Sequence, residues 1–247
     1  MPRILVTNDD GVGSEGIHVL ADAMKAFGEV TVVAPHQEAS AIGHALTLRR
    51  PLRIETIRKG VYAVDGTPTD CVNIGVEILM SDEPPVLVVS GINKGWNLGD
   101  DVTYSGTVAG ALEGALLGLP AIAVSQKRTA TFDFTEAAKA AAVVAKAVME
   151  QGLAPRTFLS INMPEGAPKG FRVTQQAKRN HVTKIDTRVD PRGQKYYWIE
   201  EGLDEWHPNG GNSDYEAVKA GYVSVTPLQP DMTAHDALGT IGGFKLG

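Results

Sequence analysis

The sequence predicts an α/β fold: a Rossmann-like, mostly parallel sheet with helices on both faces and a β-rich carboxyl-terminal appendage. Three observations carry that reading. Short apolar runs recur at residues 4–6, 30–34, 86–89, 121–124 and 158–161. Segments with apolar residues at helical spacing lie between several of them. From about residue 165 both patterns give way to isolated strands and polar loops. Strands that are continuously apolar are buried on both faces, as in parallel sheets covered by helices.

In chain order, Ile4-Leu5-Val6 reads as the first buried strand. Ile17, Leu20, Met24 and Phe27 then follow helical spacing, with Gly28 as the stop. Val30 to Ala34 is a second strand, closed by Pro35. Residues 45–65 read as short antiparallel strands at Leu46-Thr47-Leu48, at 53–57 and at 61–64, with a turn at Lys59-Gly60. Thr67-Pro68-Thr69-Asp70 is a helix start: a capping threonine, a proline at the first helical position and an acid three residues after the cap. A second helix opens near Ser105. Its apolar positions are Val108, Ala111, Leu112, Ala115, Leu116 and Leu119, and glycines recur at 106, 110, 114 and 118. Each interior glycine costs roughly 1 kcal/mol of helix propensity against alanine, so such a stripe implies close packing against another element. Tyr196-Tyr197-Trp198-Ile199 is an aromatic strand in the appendage, and the acidic stretch 200–216 reads as a solvated loop.

Composition bounds the function. The 247 residues suit one large domain, or one with an appendage, and a net charge of −6 argues against a nucleic-acid polymer as partner. A single cysteine, Cys71, allows no internal disulfide and no cysteine-based zinc site. Neither a signal peptide nor a membrane span is evident, so a cytoplasmic protein that engages no membrane is expected.

The densest chemistry is Asn8-Asp9-Asp10-Gly11, directly behind the first strand, where open α/β sheets bind their ligands. Two carboxylates at about 4 Å repel by roughly 4 kcal/mol at an effective dielectric of 20, a cost that a bound cation removes. The same residues also suit a plain Asx turn. Gly11-Val12-Gly13-Ser14-Glu15-Gly16 matches the dinucleotide fingerprint in letters. The adjacent acids and the absence of a ribose-binding acid after the second strand argue against that use. Asn93, at the end of the strand before Lys94-Gly95, offers a neutral oxygen to a hard cation, and Lys94 a charge for phosphate. Ser105-Gly106-Thr107 opens a helix, where amides and hydroxyls either bind an anion or simply cap the helix. Ser40 supplies a hydroxyl, and His44 a group for phosphate contact or proton transfer.

In order along the chain, these segments resemble the SurE family of metal-dependent nucleotidases, the stationary-phase survival proteins. The likeness rests on Val6-Thr7-Asn8-Asp9-Asp10-Gly11, Val33-Ala34-Pro35, Ser40-Ala41-Ile42-Gly43-His44 and Gly66-Thr67-Pro68-Thr69-Asp70-Cys71-Val72. It continues through Ser90-Gly91-Ile92-Asn93-Lys94-Gly95 and Ser105-Gly106-Thr107 to Gly221-Tyr222-Val223-Ser224-Val225-Thr226-Pro227. The resemblance implies one domain over 1–247, with a catalytic core at 1–164 and a β-rich oligomerisation extension at 165–247. It implies one divalent ion per subunit, Mg²⁺ or Mn²⁺, on Asp9, Asp10, Ser40 and Asn93, with phosphate held by Ser105, Gly106 and Thr107. On that reading, loss of the Thr107 hydroxyl alters substrate binding and leaves metal affinity nearly unchanged. Asn97, His44 and Lys94 are candidate substrate contacts. The expected reaction is hydrolysis of nucleoside monophosphates, with Asp9 and Asp10 catalytic and one of them as base or nucleophile. Extension to 3′-nucleotides and polyphosphate stays open. The expected assembly is a homodimer or tetramer exchanging carboxyl-terminal elements. From another class, a non-catalytic nucleotide sensor is the alternative.

Overall fold

The computed structural model describes residues 1–207 and 210–244. Its elements are β1 (Arg3–Thr7), α1 (Glu15–Met24), β2 (Glu29–Pro35), β3 (Ile54–Arg58), β4 (Val61–Val64), α2 (Pro68–Ile74), β5 (Leu87–Lys94) and α3 (Gly106–Leu116). The chain continues with β6 (Ala121–Gln126), α4 (Thr135–Gln151), β7 (Phe158–Met163), β8 (Phe171–Val173), β9 (Lys178–Val189), β10 (Lys195–His207), α5 (Asp214–Lys219), β11 (Val223–Leu228) and α6 (Leu238–Gly242).

One nine-stranded sheet runs β3-β4-β2-β1-β5-β6-β7-β11-β8, and among the described residues β9 pairs only with β10. From β4 through β7 every pairing is parallel. The α/β class and the mostly parallel sheet match the sequence reading. Each face has its own core, because side chains alternate along every strand. Ile4, Val6, Leu87, Val89, Ile122 and Val124 meet α1 and α4. Leu5, Val33, Val88, Ala121 and Ala123 meet α2 and α3. Strand order turns back between β1 and β5: β2 flanks β1 on one side, and β5 and β6 follow on the other. Such a switch point opens a crevice at the carboxyl ends of its strands.

Several local readings change. Residues 46–48 form no strand. The Thr47 amide donates to Asp70 Oδ1 at 2.9 Å and Thr67 Oγ1 to the Ala45 carbonyl at 2.7 Å, so this backbone is satisfied by the cap of α2. The first helix ends at Met24, before Phe27 and Gly28. The stretch 200–216 is not a loop throughout, since β10 runs to His207 and α5 begins at Asp214 behind a Ser213–Glu216 capping box. The main sheet does not divide at residue 164. Strand β11 pairs antiparallel with β7 and parallel with β8, which leaves the β9–β10 ribbon as the part standing apart. No helix among the described residues is long and apolar enough to cross a membrane.

Candidate active site

Strand β1 ends in a buried polar turn. Gly11 takes a positive φ of 91° and its carbonyl accepts from Asn8 Nδ2 at 3.0 Å, while the Val12 amide donates to Pro35 at 2.8 Å. Gly16 lets α1 start against β5, since a Cβ there would lie 2.4 Å from the Ile92 carbonyl oxygen. Two glycines of the fingerprint-like stretch thus serve a turn and a close approach.

That turn puts Asp9 inside the protein, 5 % exposed, under the amino terminus of α3. The Thr107 hydroxyl donates to Asp9 Oδ1. A Cβ at Gly106 would lie 2.7 Å from that of Asp9, so glycine is what lets the helix come this close. Burial pushes the Asp9 carboxyl up to about 6, against the Thr107 hydroxyl, which lowers it, and with the Asp10 charge, which raises it further. Burial also raises Asp10; the Lys94 ammonium pulls the other way, Glu38 adds to the rise and Arg128 opposes it. Asp10 Oδ2 is buried and has no hydrogen-bond partner.

The remaining predicted ligands come from neighbouring elements. The Ala39 amide donates to the Asp9 carbonyl at 2.7 Å, which ties the Ser40 segment to the end of β1. Ser40 Oγ donates to Glu38 Oε1 at 2.5 Å, so its lone pairs face away from that carboxylate. Asn93 and Lys94 close β5, the strand beside β1. Asn93 Nδ2 donates to the Gly95 carbonyl at 2.9 Å, leaving its side-chain oxygen for a ligand. No three His, Cys, Asp or Glu side chains converge as a metal site among the described residues. A cation bound here would need neutral oxygens beside the two aspartates. An unpartnered carboxylate oxygen, with neutral hydroxyl and amide oxygens on the neighbouring elements, suits a hard divalent ion.

The hydroxyls of Ser105 and Thr107 are both engaged. Ser105 Oγ accepts from the Val108 amide at 3.1 Å as the cap of α3, and Thr107 holds Asp9. Gly106 opens the helix, and a first-turn amide has no acceptor within its own helix.

Two candidate substrate contacts are tied elsewhere. His44 Nε2 lies 2.6 Å from Glu113 Oε2, and Glu113 Oε1 accepts from Asn73 at 2.6 Å. Glu113 sits two turns along α3 from Gly106, about 10 Å at the helical rise. Burial raises the Glu113 carboxyl, but hydrogen bonds from His44 and Asn73 outweigh it and hold it below its ordinary value. Asn97 is a loop anchor: its Nδ2 donates to Ser125 at 2.8 Å, its amide to Asn162 Oδ1 at 2.9 Å, and its carbonyl accepts from Asn162 Nδ2 at 3.0 Å.

Sequence reasoning missed three supports. Asn162 closes the Asn97 loop and Glu113 holds His44. Buried Asp214 accepts from the amides of Gly99, Ala177 and Tyr215 at 2.9, 3.0 and 2.7 Å. Only Asp214 carried a sequence signal, its place behind the Ser213–Glu216 capping pattern. A cavity of about 230 Å³ lies beneath residues 127–133, but no candidate ligand lines it.

Comparison with known proteins places this geometry. The family model described as Survival protein SurE matches residues 4–183. Proteins named 5′-nucleotidase SurE from Pelobacter propionicus and Syntrophotalea carbinolica are each 51% identical. The first covers 97% of this chain and 98% of its own length, the second 93% and 92%. The 5′-nucleotidase SurE 1 of Thermus thermophilus is 48% identical over 99% of this chain and 98% of its own. The crystal structure of the SurE protein from Aquifex aeolicus superposes with a TM-score of 0.87 at 43% identity, covering 97% of this chain and 98% of that one. With an acidic pair at the β1–β5 switch point, α3 packed on it, and likeness along nearly the whole length, the chain belongs to the SurE family.

Proposed function

We propose that this chain is a divalent-metal-dependent 5′-nucleotidase, hydrolysing nucleoside monophosphates to nucleoside and phosphate with one Mg²⁺ or Mn²⁺ per subunit. The observation that carries the reading is the buried, unpartnered Oδ2 of the half-buried Asp10, next to the buried Asp9. Leaving a buried acceptor unpaired costs about 1–3 kcal/mol, more when it is charged, and a ligated cation removes that cost. Asp9, Asp10, Ser40 and Asn93 would hold the ion. When bound, a divalent ion polarises the phosphoryl oxygens and lowers the pKa of a coordinated water.

The chain's own groups do the rest. Thr107 fixes the Asp9 carboxylate by a charge-assisted hydrogen bond, so one of its oxygens stays in a defined direction. The positive end of α3 and the Gly106 amide attract the phosphate, and Lys94 adds a charge from the end of β5. An aspartate of the pair accepts the proton of the attacking water. Direct attack by Asp9 or Asp10 on phosphorus would instead leave an aspartyl-phosphate, which trapping detects.

The test is phosphate release from AMP and GMP by protein stripped with chelator and then reloaded with Mn²⁺ or Mg²⁺. Turnover only after reloading is expected. Full activity in excess chelator, after verified metal removal, would overturn the metal assignment. Nucleotide binding without phosphate release would favour the sensor. The same panel, extended to 3′-nucleotides and polyphosphate, sets the substrate range.

A further inference from the structure

The loop between β6 and α4 carries side chains that the proposed chemistry leaves unused. Arg128 Nε donates to the Lys94 carbonyl at 3.3 Å, which brings the loop back over the end of β5. Lys94 Nζ lies 5.9 Å from the centroid of the Phe132 ring, and Phe132 stacks on Phe134 at 5.7 Å. Both rings pack into the core shared by α1 and α4, on the sheet face opposite α3. Lys94 adjoins Asn93, and the charges of both Lys94 and Arg128 act on Asp10.

Neither cation has an acidic partner within 4 Å among the described residues, whereas Lys127, on the same loop, closes on Glu165 at 2.5 Å. The charges of these two reach Asp10, and neither side chain closes on it. Nε of Arg128 is engaged, so the terminal nitrogens of its guanidinium remain as a fork, the shape that takes two phosphoryl oxygens at once.

We infer that Arg128 is a substrate-binding residue: with Lys94 it grips the phosphoryl oxygens of the phosphomonoester from the α4 side, facing the amino terminus of α3. The site is then two-sided, with backbone amide and helix dipole on one flank and a guanidinium–ammonium pair on the other. The inference rests on the phosphomonoesterase reading, and its test separates the two.

Wild type, Arg128→Ala and Arg128→Lys are compared as full-length, Mn²⁺-loaded protein. Calorimetry measures inorganic phosphate binding directly, without turnover, and kinetics are followed on AMP and on p-nitrophenyl phosphate, an ester lacking a nucleoside. For Arg128→Ala, phosphate affinity and kcat/KM on both esters should fall about tenfold to a hundredfold, the range of a lost charge-assisted hydrogen bond. The kinetic loss should lie mainly in KM. Arg128→Lys should recover part of it, and Mn²⁺ affinity and Tm should not move. Unchanged phosphate affinity overturns the inference. So does a loss confined to AMP, which would place Arg128 on the nucleoside, or an equal loss of Mn²⁺ affinity, which would make it a support of Asp10. If wild type hydrolyses neither ester, the enzymatic reading fails, while the phosphate titration still decides Arg128.

Discussion

Asp9 takes its carboxyl into the interior, and burial moves its pKa from 3.8 to about 6. An acid that titrates higher folded than unfolded holds its proton more tightly in the native state. The stability it contributes is complete below pH 3.8 and is lost as pH rises through about 6. The difference amounts to at most roughly 3 kcal/mol. In chelator at pH 7.5, Asp9→Asn should therefore melt above wild type, and near pH 4 the two should converge. Mn²⁺ should invert the order at pH 7.5, because only the wild type gains from ligation, and the variant should have lost most of its turnover. An Asn variant that is no more stable than wild type without metal would contradict the cost assigned to burial. Thr107 changes role relative to the sequence reading. Its hydroxyl is on Asp9, so Thr107→Val should weaken Mn²⁺ binding by about tenfold as well as raising KM, both measurable by titration. The acidic pair was legible in the sequence because two carboxylates behind an apolar run are conspicuous. The partner of Thr107 was not, since ninety-eight residues separate it from Asp9.

The glycine stripe of α3 acquires a physical cause at the scale of elements. A Cβ at Gly110 would lie 2.8 Å from Ser90 Oγ and 2.9 Å from Thr7 Cγ2, and one at Gly114 3.0 Å from Val88 Cβ. The helix lies directly on β1 and β5, and that contact brings its first turn onto Asp9. Gly110→Ala gains up to about 1 kcal/mol of helix propensity yet overpacks by about 1–3 kcal/mol. Its Tm should fall by several degrees, at roughly 2–4 °C per kcal/mol for a chain of this size. Gly13→Ala, with nothing within 4 Å of the added carbon, should leave Tm and activity almost unmoved in the same calorimetric comparison. Strands β1, β5, β6 and β7 were legible because burial on both faces makes them largely apolar. Residues 46–48 misled because alternation suggests a strand only if a neighbouring backbone stands ready to pair, and there Asp70 and Thr67 took the hydrogen bonds. The reach of β10 into acidic sequence was hidden for a related reason. A two-stranded ribbon is held by backbone pairing, which any composition can supply.

At the scale of the whole molecule, the β9–β10 ribbon exposes Tyr197, Trp198 and Ile199 at 62, 57 and 78%. Aromatic surface of that kind is characteristic of an interface. With the family likeness, it supports the proposal of a homodimer or tetramer that exchanges carboxyl-terminal elements. Light scattering at micromolar concentration should show that assembly, and Tyr197→Lys combined with Ile199→Lys should shift it toward monomer with the main sheet intact. A wild type that is monomeric and fully active would remove the assembly and spare the catalytic proposal. Truncation near residue 190 is a poorer test than the sequence suggested, because it would also delete β11 from the main sheet. Asp214 has a consequence in time. The ribosome makes Asp214 roughly two hundred residues after Asp9, which at about 5–20 residues per second is some 10–40 s. Until then the Gly99 amide has no Asp214 to hold it, and β7 has no β11 at its outer edge. A nascent chain thus displays its acidic pair well before the loop beyond Lys94 can be locked. Full competence waits on Asp214 and β11, so a message broken before the Asp214 codon should yield no active product.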